Sequence, residues 1–283
     1  MRTDFAVFIL SHGRSNNVIT YKTLIHSGYT GKIYIIIDDE DETIEDYKRM
    51  YGDKVIVFNK EHYYTNVDNG DNFENYRSTT HVRNAIFDEA NKLGLKSFLM
   101  LDDDYTRFNI KFNGKLEYVE ININKSMDKF IDTILTFLNE TNIKSICLAQ
   151  GGDFMGGAKG AFGEKIMMKR KAMNSFFCLV DRPFKFISRL NEDVNTYMTL
   201  GNRGDIFFTT NLLELKQKQT QSSKGGMTEA YLEGGTYIKS LYTVMYGPSY
   251  TKITVMGYTN KRLHHHINWK CAVPKILNEK YKK

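Results

Sequence analysis

The sequence predicts an α/β protein with a mostly parallel central sheet flanked by helices, followed by a smaller region. Short apolar runs of strand length alternate with helical patterns through the N-terminal third of the chain. One of these runs, "KIYIIID", is rich in β-branched residues and suits a strand that is covered on both faces. Such alternation is typical of parallel strands joined by right-handed helical crossovers. Ligands of these sheets bind at the carboxyl ends of the strands.

The first elements follow one another in a regular order. The predicted strands are "FAVFIL" (5–10), "KIYIIID" (32–38), "KVIVFN" (54–59) and "KSFLML" (96–101). The predicted helices lie in "VITYKTLIHSGY" (18–29), in "DDEDETIEDYKRMYG" (38–52) and in "THVRNAIFDEANKLGL" (80–95). The last of these is amphipathic, with Val82, Ile86, Ala90 and Leu93 on one side and Gly94 near its end.

The pattern changes after residue 104. A strand is predicted in "GKLEYVEIN" (114–122), a strongly amphipathic helix in "SMDKFIDTILTFLNET" (126–141) and a buried strand in "SICLAQ" (145–150). The glycine-rich stretch "GGDFMGGAKGAFGEK" (151–165) lacks the Gly-Lys-Ser/Thr ending of a phosphate-binding loop and is interpreted as an ordinary loop. Because we find no internal repeat and no boundary marked by proline, we expect residues 1–283 to form one domain.

Composition limits the classes of function. The chain has 283 residues, 41% of them hydrophobic, and a net charge of +6, which suits a polyanionic partner such as nucleic acid. No segment approaches the length of a membrane span, and "MRTDFAVFILSHGR" does not have the form of a secretory signal. The cysteines, Cys147, Cys178 and Cys271, are widely spaced and odd in number, which favours buried thiols. We therefore expect a cytoplasmic protein without a membrane partner.

Three carboxylates, Asp102, Asp103 and Asp104, stand where the fourth predicted strand ends. Their mutual repulsion raises the pKa of at least one acid unless a cation arrives. Hard divalent cations prefer oxygen ligands, so a metal site is one interpretation of this motif. A solvated turn is the other, since Asp is common where strands end.

Two further acidic pairs are placed in a similar way. Asp38 and Asp39 end the second predicted strand, and Glu192 and Asp193 precede a helical stretch in "NEDVNTYMTLGNRGDIFF". Neighbouring carboxylates that are partly buried can reach the pKa that a general base needs near neutral pH. The alternative for "NEDV" is an acidic first helical turn that is favoured by the helix dipole.

Taken in order over residues 4–210, these motifs resemble the GT-A fold of nucleotide-sugar glycosyltransferases. The resemblance implies that Asp102 and Asp104 match the DxD motif and bind Mn²⁺ or Mg²⁺. It further implies that Asp193 or Glu192 is the base that deprotonates the acceptor hydroxyl. The residues implied to bind the donor are Asp39 or Asp38 at the nucleobase, Ser11, His12 and Arg14 beside it, Arg83 and Asn84 at the diphosphate, and Asp103. For Arg83, an exposed helical arginine is the alternative.

The combination of "ILSHGRSNNV", "LDDDY", "NEDVNTYMTLGNRGDIFF" and the late "RLHHHINW" is similar to the TET/JBP-associated glycosyltransferases of phage and of base J synthesis. That resemblance implies a nucleotide-sugar donor, an acceptor of 5-hydroxymethylpyrimidine in DNA and, for a phage protein, a location in the host cytoplasm. Lys169 and Arg170 in "GEKIMMKRKAM" suit contacts with DNA phosphates, although such a run is often a solvated surface. His266, or His264, is implied as a metal ligand, with a surface histidine as the alternative. The chain lacks the oxygenase domain found with some relatives.

The resemblance divides the predicted domain into a nucleotide-binding half, 1–110, and an acceptor-side half, 111–283. Two other functions remain open at this point. A GT-A transferase acting on glycan, protein or teichoic-acid hydroxyls explains the donor motifs equally well. A non-catalytic protein that binds a nucleotide or a sugar explains the acidic clusters as structural. The sugar, the nucleotide, the stereochemical course and the oligomeric state are left undetermined by the sequence.

Overall fold

The computed structural model describes residues 2–115, 117–160, 171–218, 235, 237–257, 261–273 and 279. The described strands are β1 (Phe5–Leu10), β2 (Lys32–Asp38), β3 (Val55–Phe58), β4 (Ser97–Asp102), β5 (Tyr105–Phe112), β6 (Tyr118–Asn122), β7 (Ser145–Gln150), β8 (Phe176–Leu179), β9 (Phe207–Gln217), β10 (Thr251–Met256) and β11 (Arg262–Ile267). The described α-helices are α1 (Ile19–His26), α2 (Ile44–Tyr51), α3 (Lys60–Thr65), α4 (Thr79–Lys92), α5 (Met127–Glu140), α6 (Glu192–Asn202), α7 (Ile238–Tyr246) and α8 (Trp269–Ala272). Every helix and strand predicted for residues 5–150 lies on or overlaps one of these elements.

Nine strands form one sheet in the order β3-β2-β1-β4-β8-β7-β9-β5-β6. The first four strands of this order pair in parallel, as the alternation of strands and helices predicted. In the remainder, β7 and β9 are parallel and the other pairings are antiparallel. The α/β class, with a central sheet flanked by helices, is confirmed.

Register brings the strand ends together. Leu10, the last residue of β1, lies opposite both Ile36 of β2 and Asp102 of β4. The polar residues that follow β1 and β2 therefore meet the triple-Asp motif at one edge of the sheet. This edge is where ligands of parallel sheets bind.

Each face of the sheet carries its own core. One core contains apolar side chains of α1, α2 and α5, and the other contains those of α4, α6, β11 and α8. Strands β1 and β4 are almost completely buried because they lie between these two layers. Helix α4 begins where the Ser78 side chain accepts a hydrogen bond from the Thr80 amide, which is a standard N-cap. These layers hold the strand ends in fixed positions.

Strands β10 and β11 form a separate antiparallel hairpin. Cys147 and Cys178 are buried free thiols as expected, whereas Cys271 is exposed. None of the helices in the described ranges combines the length and apolarity that a bilayer crossing requires.

Candidate active site

The loop after β1 contacts the middle aspartate of the triple-Asp motif. Ser11 Oγ donates to Asp103 Oδ2 at 2.6 Å, and Arg14 Nη1 donates to Asp103 Oδ1 at 2.9 Å. Tyr47 shares a hydrogen bond of 2.6 Å with the Ser11 hydroxyl. Burial raises the pKa of Asp103, and the Arg14 charge opposes that shift. Asp103 thus connects the β1 loop to β4, and its contact with a donor stays a prediction.

His12, Asp38 and Lys60 form a charged group at the ends of β1, β2 and β3. The His12 Nδ1 atom lies 2.7 Å from Asp38 Oδ2, and Lys60 Nζ donates to Asp38 Oδ1 at 3.3 Å. The hydrogen bond to Asp38 raises the pKa of His12, and burial opposes it. Burial alone would raise the pKa of Asp38, but His12 and Lys60 together lower it. Gly13, with φ of +64°, adopts a left-handed turn that lets its amide donate to Asp41 at 2.7 Å.

Asp39 has a different environment from Asp38. It is exposed, and its carboxylate accepts hydrogen bonds from Asn59 Nδ2 at 2.7 Å and from the Lys60 amide at 3.0 Å. These bonds tie the end of β2 to the start of α3. Because Asp38 points to His12 while Asp39 is held by the α3 start, the choice of nucleobase-reading residue stays a prediction.

Asp102 and Asp104 flank Asp103 and both are half-buried. Close packing by the protein raises the pKa of Asp102 to about 7, against the opposing charge of Arg83, and Asp104 adds to the increase. Asp102 nevertheless keeps 30% of its side chain exposed. Burial and the Asp103 charge also raise the pKa of Asp104. Two carboxylates that are difficult to ionise together and are open on one side suit a divalent cation.

Arg83 is buried rather than exposed, and it connects two of the predicted motifs. Its Nη2 donates to Asp102 Oδ1 at 3.0 Å and its Nε donates to Glu192 Oε1 at 2.9 Å. The guanidinium lies over the rings of Phe176 and Phe186, 5.2 and 5.7 Å from their centroids. The alternative of an exposed helical arginine is therefore wrong. Its contact with a diphosphate stays a prediction.

Asp193 follows Glu192 in the first turn of α6. Its Oδ1 accepts a hydrogen bond from the Val194 amide at 2.7 Å. Burial raises the pKa of Asp193 to about 7, the adjacent Glu192 charge adds to this, and Arg83 opposes it. A carboxylate with this pKa changes its protonation state in the range where a general base is effective.

Asn84, predicted beside Arg83 at the diphosphate, has its amide occupied by the main chain. Its Nδ2 donates to the Phe186 carbonyl at 3.0 Å, and its Oδ1 accepts from the Phe186 amide at 2.8 Å. These two bonds fix the segment before α6 to helix α4. A donor contact of Asn84 therefore stays a prediction without a free amide to support it.

His266 lies on β11, paired with Lys252 of β10. In the ranges covered by the structure, no group of three or more His, Cys, Asp or Glu side chains is placed to hold a metal ion, so His266 does not complete a site with Asp102 and Asp104. The two carboxylates still fit Mn²⁺ or Mg²⁺, because Mg²⁺ is commonly bound by one or two carboxylates together with substrate phosphates. Lys169 and Arg170 lie outside the described residues.

The sequence analysis missed several polar residues of this site. Lys60, Asp41 and Tyr47 contact the predicted residues through hydrogen bonds, and Lys239 of α7 interacts electrostatically with Asp193. Lys60 had an available signal, since it directly follows the third predicted strand. The other three lie within helices or loops whose sequence does not indicate what they face.

The parallel strand ends, the open carboxylate pair and the buried acid of near-neutral pKa define an enzyme with a ligand site at the sheet edge. The family profile of TET-associated glycosyltransferases matches residues 5–226. The chain belongs to this family and is a glycosyltransferase. The predicted recognition, from the GT-A class to the TET-associated family, is confirmed.

Other comparisons are more distant. Comparison with curated protein sequences gives no significant match. Among solved structures, glucosyl-3-phosphoglycerate synthase from Mycobacterium tuberculosis, in complex with Mn²⁺, UDP and phosphoglyceric acid, is similar with 9% sequence identity and a TM-score of 0.47. The match covers 93% of this chain and 86% of that one. A likeness this remote does not carry the ligands of one protein over to the other.

Proposed function

We propose that the protein transfers a sugar from a nucleotide-sugar donor, a UDP-sugar by expectation, to the hydroxyl of 5-hydroxymethylpyrimidine in DNA. The observation that carries this proposal is the position of Arg83 between Asp102 and Glu192. Arg83 joins the predicted metal carboxylates and the predicted base into one site. Membership of the TET-associated family and the net charge of +6 support DNA as the acceptor.

The donor is assigned to the edge formed by β1, β2 and β4. The loop from Ser11 to Arg14 lies there with Asp38 and Lys60, so both acidic and basic groups face a bound nucleotide. Asp102 and Asp104 would hold Mn²⁺ or Mg²⁺ at the diphosphate. A divalent ion in this position supplies charge neutralisation of the leaving diphosphate.

Asp193 is assigned as the base. Its carboxylate accepts the proton of the acceptor hydroxyl while the acceptor oxygen bonds to the anomeric carbon of the sugar. The bond between that carbon and the diphosphate oxygen breaks, and the nucleoside diphosphate leaves with its electron pair. Arg83 acts as a positioning residue, because it contacts Glu192 and Asp102 and its buried guanidinium fixes their separation.

The proposal is tested by the release of nucleoside diphosphate from a panel of nucleotide sugars with Mn²⁺. Two duplexes are compared that differ only in carrying 5-hydroxymethylpyrimidine or 5-methylpyrimidine. We expect release to be stimulated by the hydroxymethylated duplex alone. Equal release with both duplexes, or stimulation by glycan or peptide hydroxyls but not by DNA, contradicts the DNA acceptor.

A further inference from the structure

The positive charge of the chain is concentrated near its C-terminal end. Residues 235–278 contain six lysine and arginine residues and no aspartate or glutamate, so this stretch alone accounts for the net charge of +6. The rest of the chain is balanced in sign. Charges of both signs are usually interspersed on a protein surface, and a segregated positive region creates a field that attracts polyanions.

Much of this stretch is the β10–β11 hairpin, which lies outside the nine-stranded sheet. Cross-strand register pairs Lys252 with His266, Thr254 with His264 and Met256 with Arg262, so these six side chains share one face. Lys252, Arg262 and His266 are exposed there. On the opposite face, Thr251 and Ile267 are buried against the body of the protein. The face that carries Lys252, His264, His266 and Arg262 is named the basic face.

The hairpin is anchored to the helix that carries the proposed base. Thr251 Oγ1 donates to Met198 Sδ of α6 at 3.7 Å. Trp269, two residues after β11, stacks on Tyr197 of the same helix with ring centroids 5.6 Å apart and an angle of 22°. The first turn of α6 contains Asp193. The hairpin is therefore fixed relative to the proposed base.

The inner end of the basic face is electrostatically continuous with the active site. Burial lowers the pKa of His264, and the charges of Lys239, Arg262 and Lys171 lower it further. Burial also lowers the pKa of Lys239, while the Asp193 charge raises it. These cations thus lie between the basic face and Asp193, close enough to interact with both.

The outer end of the basic face opens into a surface cavity of about 710 Å³. Its lining includes Tyr250, Lys252, His266, Trp269 and Lys270. Lysines beside partly exposed aromatic rings are a combination that nucleic-acid surfaces use, since the cations contact phosphates and the rings contact sugars or bases.

We propose that the basic face and Lys270 bind phosphates of the DNA strand and thereby hold the target pyrimidine at Asp193. This inference rests on the proposed function, since it assigns the surface on which that acceptor lies. Phosphate contacts fix the register and orientation of a protein on the duplex without reading its sequence. The basic face is accordingly a positioning surface, and it imposes no sequence preference of its own.

The test compares two double variants of equal charge change. Lys252→Glu with Lys270→Glu alters the basic face, whereas Lys22→Glu with Lys129→Glu alters α1 and α5, which pack on the other side of the sheet. Binding of a hydroxymethylated duplex is measured by fluorescence anisotropy from 50 to 200 mM salt. Each lost phosphate contact removes about 0.9 from the slope of log affinity against log salt, so the basic-face variant should lose about tenfold less affinity across this range than the wild type. We expect the control variant to keep the wild-type slope.

The outcomes separate this inference from the proposed function. If the wild type glycosylates hydroxymethylated DNA and the basic-face variant keeps the wild-type slope and the wild-type KM for DNA, the basic face is not the DNA-binding surface and only this inference is overturned. If the wild type neither binds nor glycosylates DNA, both are overturned. Melting temperatures establish that the variants are folded. Should the double variant unfold, the single variants Lys252→Gln and Lys270→Gln decide the question by the same slope.

Discussion

Arg83 donates a hydrogen bond to Glu192 at 2.9 Å, although the two residues are 109 positions apart in the chain. The same guanidinium binds Asp102, so helix α4 connects the end of β4 to the start of α6. Both acids on which the proposed chemistry depends, the metal-binding Asp102 and the base Asp193, are therefore held by one buried cation or next to its partner. Arg83 is the structural centre of the candidate active site.

Replacing Arg83 should destabilise the protein strongly. In Arg83→Gln, Glu192 and Asp102 lose their cation, and breaking a buried ion pair from one side costs about 3–5 kcal/mol. Urea unfolding measures this loss. The matched control is Arg49→Gln, because Arg49 pairs with Asp46 on the surface and exposes 74% of its side chain. An exposed pair contributes about 1 kcal/mol or less. Equal stability of the two variants would show that the Arg83 bridge does not form.

Asp103 and Asp104 should respond differently to the same substitution. Asp104→Asn should stay folded and lose about a thousandfold in metal-dependent turnover, since charge stabilisation by a divalent ion is worth several kcal/mol. Asp103→Asn should instead lose about 1–3 kcal/mol of unfolding free energy, because its contacts with Ser11 and Arg14 are charge-assisted. Turnover and urea unfolding of both variants provide the comparison. Full activity of Asp104→Asn in excess chelator is the result that would sink the metal assignment.

The pH dependence of turnover should report on Asp193. Burial raises the pKa of Asp193 to about 7, so its carboxylate is protonated, and inactive as a base, below that value. Turnover should therefore rise between pH 6 and pH 8, with half of the maximum close to pH 7. Initial rates at saturating donor and DNA measure the profile. A rate that stays constant from pH 5.5 to pH 8 would exclude a titrating base in this range.

Asp193→Asn provides the chemical counterpart of that profile. The amide cannot accept the hydroxyl proton, so kcat should fall by at least about a hundredfold, which is the usual contribution of a general base. DNA affinity should be nearly unchanged, because phosphate contacts are assigned to the basic face. An inverted anomeric configuration of the product should accompany this role. A variant with wild-type kcat would assign the proton transfer to another group.

Local sequence patterns were sufficient to predict the strand ends. β4 ends at Asp102, and the helix predicted from Val82, Ile86 and Ala90 is α4. These features depend on periodicity and on residues a few positions apart, which a single sequence contains. The meeting of the strand ends followed from the rule that parallel strands align their carboxyl ends.

Contacts between distant parts of the chain were not predictable in the same way. Asn84 binds the Phe186 main chain, 102 positions away, and no local pattern indicates that its amide is occupied. His266 was expected near the metal carboxylates, but the packing of the β10–β11 hairpin against α6 places it on the basic face. Only the tertiary arrangement of α6, α7 and the hairpin decides such positions.

The most direct test of the account is mass spectrometry of nucleosides from duplex DNA that contains 5-hydroxymethylpyrimidine, after incubation with the protein, Mn²⁺ and a UDP-sugar. The account predicts a new nucleoside heavier by one sugar residue, formed faster when the modified base is mispaired, because flipping a mispaired base costs less. Consumption of the donor with no sugar on any pyrimidine, under conditions where Arg83, Asp104 and Asp193 are intact, would contradict it.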